Sequence, residues 1–208
     1  MRQALTDYAV AENFWKKEKV PAILKLGQKK YVETSHLICK GFLEPLFAAG
    51  IYPNLILLKR TNRDVARSMY YLNTIPGRTE AGLKYYLKPD DPGNLLPVRH
   101  WENFSDYQLC YWYTLEIEKR QKYYADRVLS NGGRVMHLDF NELMRGKKHE
   151  DLRNFLGLSP AGFIKNLLMK MRSRIKINSK FRRKIRKSLA SSVSFDQEER
   201  QLMEMLKL

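Results

Sequence analysis

The spacing of hydrophobic and polar residues changes several times along this chain, and each pattern predicts a different element. In residues 2–26, apolar side chains recur near one face of a helix, with Pro21 placed to kink it or to begin a second helix. Residues 29–38 (KKYVETSHLI) predict a strand, and residues 41–49 predict a short helix that ends at a glycine. Residues 55–58 form a continuous aliphatic run between a turn and a charged pair, a pattern typical of a buried parallel strand.

Capping residues mark the starts of two further helices. Thr61 or Asn62 can cap a helix over residues 63–72, because their side chains accept hydrogen bonds from the first free N–H groups. Ser105, followed three positions later by Gln108, resembles a capping box. It predicts the start of a long helix that ends before an Asn-Gly-Gly sequence.

The order of the elements predicts the fold class. Residues 74–104 are rich in proline and glycine and predict a long irregular segment with a short helix inside, and residues 134–139 predict another strand. The alternation of strand and helix predicts an α/β fold, a parallel sheet flanked by helices on both faces. A single domain is expected, because 208 residues suffice for one. It divides into N-terminal helices (1–28), a core (29–158) and a basic helical region (159–208).

Composition narrows the class of protein. Only two cysteines, Cys39 and Cys110, are present, so a disulfide framework is not expected, and no residues have the spacing of metal ligands. No apolar run approaches the ~18 residues of a membrane span, and the beginning of the chain lacks the layout of a signal peptide. We therefore expect a cytoplasmic protein without a bound metal.

The positive charge is concentrated in one stretch of the chain. The formal net charge is +16, and no acidic residue lies between Leu152 and Phe195. Such a field attracts polyanions, including nucleic acid, acidic lipid and sulfated glycans, but a solvated basic helix produces the same pattern. The basic residues of this stretch are Arg153, Lys165, Lys170, Arg172, Arg174, Lys176, Lys180, Arg182, Arg183, Lys184, Arg186 and Lys187.

The candidate chemistry follows the aliphatic run at residues 55–58. A buried strand there delivers Arg60 to the carboxyl edge of a parallel sheet, where open α/β sheets bind their ligands. The next helix begins at the same place, and its free N–H groups favour an anion. Arg60 can grip a phosphate through two hydrogen bonds, and Ser68 can add a hydroxyl. The alternative is that Arg60 and Asp64 only stabilise the junction between the loop and the helix and bind no ligand.

This stretch resembles the 3′-phosphate-binding element of sulfotransferases that use 3′-phosphoadenosine 5′-phosphosulfate (PAPS). In that family an apolar strand is followed by Arg, then by a basic residue and Asp, and then by Ser eight positions after the first Arg. Arg60, Arg63, Asp64 and Ser68 match these positions, whereas Asn62 stands where the family commonly has Pro. The resemblance implies a P-loop-NTPase-like sulfotransferase fold, with Arg60, Arg63 and Ser68 on the nucleotide.

Further parts of the resemblance, which covers roughly residues 31–158, concern the catalytic base and a closing loop. The sequence ETSHL resembles the Lys-Thr-His-Leu and Glu-Lys-Ser sequences near the base in this family. His36 stands almost at the family's spacing and can take the proton of an acceptor hydroxyl. Glu33 can do the same work if burial raises its pKa. Asn178 and Lys180 resemble part of a basic loop that closes over the 3′-phosphate in some members.

One part of the family's machinery is missing from these 208 residues. Sulfotransferases hold the 5′-phosphosulfate in a glycine- and Ser/Thr-rich loop, whose N–H groups stabilise the charge that develops during transfer. The nearest candidate, Gly27 with the Gln-Lys-Lys that follows, lacks the second glycine and the hydroxyl residues. We expect that the first strand and loop were lost, through truncation of the gene or a misplaced start codon, and that this chain alone has impaired activity.

The resemblance implies an enzyme that transfers a sulfuryl group from PAPS to a hydroxyl or amine of a small-molecule or glycan acceptor. Residues 74–104 are the expected source of acceptor contacts. The main alternative is a non-catalytic protein that binds nucleic acid or an anionic glycan through its basic stretch. Few aromatic residues interleave with those charges, so nucleic acid is not favoured. A kinase of related topology ranks last, because it needs a Gly-x-x-x-x-Gly-Lys-Ser/Thr loop.

Overall fold

The computed structural model describes residue 4 and residues 7–28, 30–35, 38–159 and 194–207. This part of the chain is mostly helical, and its two strands pair in one small parallel sheet. In chain order the elements are α1 (Tyr8–Asn13), a wide helical turn (Phe14–Lys19), α2 (Val20–Leu26), a kinked turn (Ile38–Phe42), α3 (Glu44–Ala48), β1 (Leu55–Lys59), α4 (Asn62–Tyr71), α5 (Glu80–Tyr85), a 3₁₀ turn (Trp101–Asn103), α6 (Asp106–Ser130), β2 (Val135–Asp139), α7 (Phe140–Met144), α8 (His149–Leu156) and α9 (Phe195–Leu206).

The sheet pairs two strands that are far apart in sequence. Strands β1 and β2 run parallel, in a register that sets Lys59 opposite Asp139. Leu57 and Leu138 are the buried residues of this pair. Both strands therefore end at the same edge of the sheet, and the segments that follow them leave it side by side. The α/β class and the parallel pairing predicted from the sequence are confirmed.

Helix α6 is the longest of the described helices, and α4, α9, the kinked turn and both strands contact it. Its capping box forms as predicted, because Ser105 Oγ accepts the N–H of Gln108 and the Gln108 side-chain oxygen accepts the N–H of Ser105, both at 3.0 Å. The main core cluster joins α4, α6 and α9. Its buried residues are Ala66, Met69, Ile75, Leu87, Phe104, Tyr107, Leu109, Cys110, Trp112, Tyr113 and Leu202.

A buried ion pair in the middle of α6 fixes the proline- and glycine-rich segment. Glu116 is fully buried, and its carboxylate accepts the N–H groups of Leu95 at 3.1 Å and Leu96 at 2.6 Å. Arg120 donates from Nε to Glu116 Oε1 and from Nη2 to the carbonyl of Gly93, both at 2.6 Å. Because the pair takes its remaining partners from this segment, residues without regular structure acquire a defined position.

Several other predicted elements are confirmed. Thr61 caps α4 by accepting the N–H of Asp64 at 3.3 Å, and residues 74–104 contain only α5 and the 3₁₀ turn. The N-terminal helix is continuous from α1 to α2, so Pro21 lies inside it, two residues after the wide helical turn Phe14–Lys19. Among the helices that the structure describes, none has both the length and the apolar composition needed to cross a membrane.

The strand predicted over residues 29–38 is wrong in the part that the structure describes. Residues 30–35 form neither helix nor strand, and Ile38–Phe42 is a kinked turn. Tyr31 and Val32 are neighbours in sequence and would face opposite sides of a sheet, yet both are exposed (40% and 53%). The segment therefore lacks the buried face that stabilises a strand in one register.

Lys40, in the kinked turn, is a charged residue inside the core. It is fully buried, and its Nζ donates to the carbonyl of Tyr85. The same nitrogen lies 5.1 Å from the ring centroid of Tyr86 and 5.3 Å from that of Tyr113. Burial lowers the pKa of Lys40 to about 8, because one carbonyl and two ring faces replace its hydration only in part.

Replacement of Lys40 by Met removes this charge at similar side-chain length. Lys40 has an ordinary pKa of 10.5, so between pH 8 and pH 10.5 the unfolded chain binds more protons than the folded protein. The contribution of Lys40 to the unfolding free energy therefore rises with pH in this window. Between pH 8 and pH 10.5 we expect the unfolding free energy of the unchanged protein to rise by about 3 kcal/mol more than that of Lys40→Met. Urea denaturation of both proteins at the two pH values measures this difference. A pH-independent difference between the two proteins would contradict this interpretation.

Replacement of Arg120 by Met tests the buried ion pair. The change leaves the Glu116 carboxylate buried without its cation, so we expect a loss of about 3–5 kcal/mol in unfolding free energy. Lys122→Met is the matched control, because Lys122 is 77% exposed on the same helix and forms an exposed ion pair with Asp126. The control should change stability by less than about 0.5 kcal/mol. Equal urea midpoints for the two variants would show that the pair does not hold the segment.

Candidate functional site

The edge where both strands end brings Arg60 to the start of α4. Strand β1 runs directly into the connection that contains Arg60, and α4 follows with Thr61 as its N-cap. Phe140 is the first residue after β2, and its ring centroid lies 5.5 Å from the Arg60 guanidinium. The parallel register thus places a positive side chain, an aromatic ring and a helix N-terminus together at one edge of the sheet.

The guanidinium of Arg60 has donors that no described residue uses. Its side chain is 25% exposed, and its Nη2 lies 3.5 Å from Oδ2 of Asp64, a long ion pair. Its Nε is buried and has no hydrogen-bond partner in the described part of the chain. A guanidinium offers five N–H donors. Arg60 is therefore partly desolvated and still able to bind an anion.

Ser68 lies one turn of α4 beyond Asp64, the residue that contacts this guanidinium. It is four residues after Asp64, so the two side chains share one face of the helix. Ser68 is half-buried on this face. Asp64 contacts Arg60, so this carboxylate connects the guanidinium with the face of α4 that carries Ser68. The first N–H groups of α4 add the positive end of the helix dipole.

Arg63 is bound by α9. Its Nε lies 3.0 Å from both carboxylate oxygens of Glu199, and its Nη2 lies 2.6 Å from Oε2 of Glu199 and 2.5 Å from Asp196. These contacts raise the pKa of Arg63, and the hydrogen bonds that it donates to Glu199 have the largest effect. Tyr107 of α6 donates to Oε1 of the same carboxylate at 2.5 Å. Arg63 therefore joins α4 to α9 through its Nε and Nη2.

Glu33 is held as a carboxylate. Burial alone would raise its pKa, but hydrogen bonds from Lys19 Nζ and the Tyr31 hydroxyl, both at 2.5 Å, and from the N–H of Ser35 at 3.1 Å outweigh burial. The pKa of Glu33 is lowered as a result. The condition under which Glu33 was expected to act as a base, a pKa raised by burial, is therefore not met.

The structure brings together only some of the predicted site residues. Arg60, Asp64 and Ser68 lie along one surface, whereas Arg63 turns to α9 and Glu33 turns to Lys19. Three predicted site residues lie outside the described residues: His36, Asn178 and Lys180. Most of the basic stretch between Leu152 and Phe195 lies outside them as well.

Sequence reasoning missed two residues of this region. Phe140 could have been found, because parallel strands of known register bring the residues after them to one edge. Glu199 had no local signal, since its partner Arg63 is 136 positions away. No group of three or more His, Cys, Asp or Glu side chains in the described segments is placed to hold a metal ion.

Replacement of Arg63 by Met should loosen α9. We expect unfolding free energy to fall by about 1–3 kcal/mol, because the buried Glu199 carboxylate loses its charged donors. Hydrogen exchange of the α9 amides should accelerate more than exchange in the middle of α6. Lys59→Met is the control, since its ion pair with Glu118 is exposed and 3.8 Å long. Unchanged exchange in α9 for the Arg63 variant would show that other contacts hold this helix.

Comparisons with known proteins add no relative to this description. No family model, no curated protein and no solved structure matches the chain. The functional interpretation of Arg60 and Ser68 therefore depends on the local sequence and on the geometry around them.

Proposed function

We propose that this protein binds the 3′-phosphate of an adenine nucleotide at the carboxyl edge of β1 and acts as a PAPS-dependent sulfotransferase. Arg60 and Ser68 are the proposed phosphate ligands, and the first N–H groups of α4 complete the anion site. The proposal includes the finer fold assignment, a P-loop-NTPase-like sulfotransferase fold. Its support is the resemblance of the stretch from Arg60 to Ser68 and the surroundings of Arg60.

The observation that carries the proposal is the incomplete hydrogen bonding of Arg60. A buried donor without an acceptor costs free energy, and such groups in native proteins commonly have a functional explanation. A phosphate can accept two N–H groups of one guanidinium at once. Asp64, at 3.5 Å, orients the guanidinium without using its remaining donors, and the Phe140 ring supports it from the side of β2.

Arg63 acts, in this proposal, through the position of α4. Carboxylates of α9 bind the Nε and Nη2 of its guanidinium, so it holds the helix that presents Arg60 and Ser68. The sequence resemblance placed Arg63 on the nucleotide, and the observed contacts favour a supporting role instead. Asn62, which replaces the family's Pro, donates to Glu118 of α6 at 2.9 Å and supports the same helix from its other side.

His36 is the proposed catalytic base. Glu33 is the weaker candidate, because its hydrogen bonds outweigh the effect of burial and lower its pKa, and a weakly basic carboxylate takes up a proton poorly. In the proposed reaction the acceptor oxygen or nitrogen bonds to sulfur while the bond from sulfur to the phosphate oxygen breaks. The acceptor proton passes to His36, and adenosine 3′,5′-bisphosphate leaves.

Calorimetric titration with adenosine 3′,5′-bisphosphate tests the phosphate site without a known acceptor. Adenosine 2′,5′-bisphosphate is the matched control ligand, because it has the same total charge but carries its second phosphate on the 2′ oxygen. The second control, 5′-AMP, lacks that phosphate. We expect micromolar binding of the 3′,5′ isomer and at least about tenfold weaker binding of both controls. Arg60→Ala should weaken the 3′,5′ isomer by about 10- to 100-fold, and Ser68→Ala by about three- to tenfold.

Two other arginine variants identify what is lost in Arg60→Ala. Arg127 lies near the end of α6 that leads to the start of β2, at the opposite edge of the sheet, so Arg127→Ala should leave affinity unchanged. Arg63→Met should weaken affinity far less than Arg60→Ala does, while it lowers stability. Equal binding of all three nucleotides, unaffected by Arg60→Ala and steeply weakened by salt, would reject the proposal. That result would favour polyanion binding by the basic stretch.

A further inference from the structure

Helix α2 (Val20–Leu26) is apolar on nearly every side, and yet it is not buried. Its sequence, VPAILKL, has one polar residue, Lys25, and none of its residues is buried. Leu24 is 74% exposed and Leu26 is 58% exposed. The two leucines are two positions apart, so they project from nearly opposite sides of the helix. Because a helix that is hydrophobic all round normally lies in a core or in a membrane, we expect a partner to cover α2.

The earlier part of the same helix fixes α2 to the rest of the protein. Ala11 and Trp15 are buried, and the indole N–H of Trp15 donates to the carbonyl of Phe42 at 2.6 Å. The ring of Phe14 meets that of Phe42 edge to face, with centroids 4.9 Å apart. The buried residues of the N-terminal helix thus lie before α2. The helix is held at its beginning, and α2 is its exposed end.

The chain returns towards the start of α2 with further exposed apolar side chains. Lys19, the residue before α2, donates to the Tyr31 hydroxyl at 3.0 Å, so Tyr31 lies close to the start of α2. Tyr31, Val32 and Val20 are all exposed. We call α2 and residues 30–32 together the α2 tip. Its apolar surface therefore comes from two segments of the chain.

The charges that accompany this apolar surface are all positive. From residue 19 to residue 32 the sequence contains no acidic residue, and its lysines are Lys19, Lys25, Lys29 and Lys30. Lys19 is paired with Glu33, whereas Lys25 is exposed between the two leucines. Lys30 donates to the carbonyls of Leu156 and Gly157, which carry no formal charge. Exposed apolar side chains interleaved with lysines are typical of segments that bind anionic membrane surfaces.

We infer that the α2 tip docks onto the surface of an anionic lipid bilayer, with Leu24 and Leu26 inserted among the headgroups. A groove in a protein contacts one side of a helix, whereas a bilayer surrounds an inserted segment, which fits leucines exposed on opposite sides. The length of α2, about 10 Å, matches the ~5–10 Å depth that interfacial segments reach. The formal net charge of +16 adds attraction to anionic lipid and opposes pairing of two copies. The inference is independent of the proposed nucleotide site.

Cosedimentation of the full chain with lipid vesicles tests the inference. Vesicles of phosphatidylcholine mixed with phosphatidylserine are compared with vesicles of phosphatidylcholine alone. We expect saturable binding to the mixed vesicles and at least about tenfold weaker binding to the neutral ones. Joint replacement of Leu24 and Leu26 by Ser should weaken binding to the mixed vesicles by about tenfold or more. Lys25→Gln should weaken it by about fivefold, the effect of one lysine near an anionic surface.

Matched substitutions on α5 separate the α2 tip from the general attraction of a basic protein to anionic lipid. Leu83→Ser and Lys84→Gln change an exposed leucine and an exposed lysine of that helix, so both should leave vesicle binding nearly unchanged. The double variant at Leu24 and Leu26 should keep the urea midpoint of the unchanged protein, because both side chains are exposed in the folded state. Its loss of binding then cannot come from unfolding.

A tryptophan at position 24 reports insertion directly. With mixed vesicles, the fluorescence that Leu24→Trp adds to that of the unchanged protein should shift to shorter wavelength and be quenched by lipids brominated on their acyl chains. Binding that survives in the double variant would overturn the inference, because it would come from charge elsewhere in the chain. Absence of binding to the mixed vesicles would also overturn it. So would a dimer in analytical ultracentrifugation that the double variant dissociates, since the tip would then bind a second copy.

Discussion

A carboxylate that is buried away from water needs a hydrogen-bond donor. Three carboxylates on α6 or packed against it have such donors. Glu116 takes the backbone N–H groups of the irregular segment, Glu199 of α9 takes the Tyr107 hydroxyl, and Glu44 of α3 takes the Tyr124 hydroxyl. Each contact adds a directional bond to apolar packing, so α6 fixes the orientation of its neighbours as well as their proximity. A sheet with two described strands has too little buried surface to do this alone.

The same requirement explains the contrast between two arginines that are three positions apart. Arg63 faces α9, where Glu199 and Asp196 satisfy it, and it is part of the packing of that helix. Arg60 faces the edge of the sheet, where a long contact with Asp64 leaves a buried nitrogen without a partner. Their chemistry is identical, but Arg63 has two carboxylate partners, whereas Arg60 keeps a donor without a described partner.

The sequence predicted those elements whose signals are local. Strand β1, helix α4 with its Thr61 cap, and helix α6 with its Ser105 capping box each follow from a few adjacent residues. Residues 30–35 do not form the predicted strand, because a strand also needs a buried face, which the rest of the fold must supply. The lowered pKa of Glu33 likewise depends on Lys19, brought to it by folding, which no local pattern could reveal.

The Arg63–Glu199 bond has a consequence for synthesis on the ribosome, since 136 positions separate the two residues. Helix α4 and the start of α6 emerge long before α9 is translated. Phe195 of α9 covers the rings of Tyr70 and Tyr107, with ring centroids 6.1 Å and 4.5 Å apart. Until α9 arrives, this aromatic surface faces solvent on the growing chain. During this stage of synthesis, the uncovered aromatic surface can contact chaperones and other nascent chains.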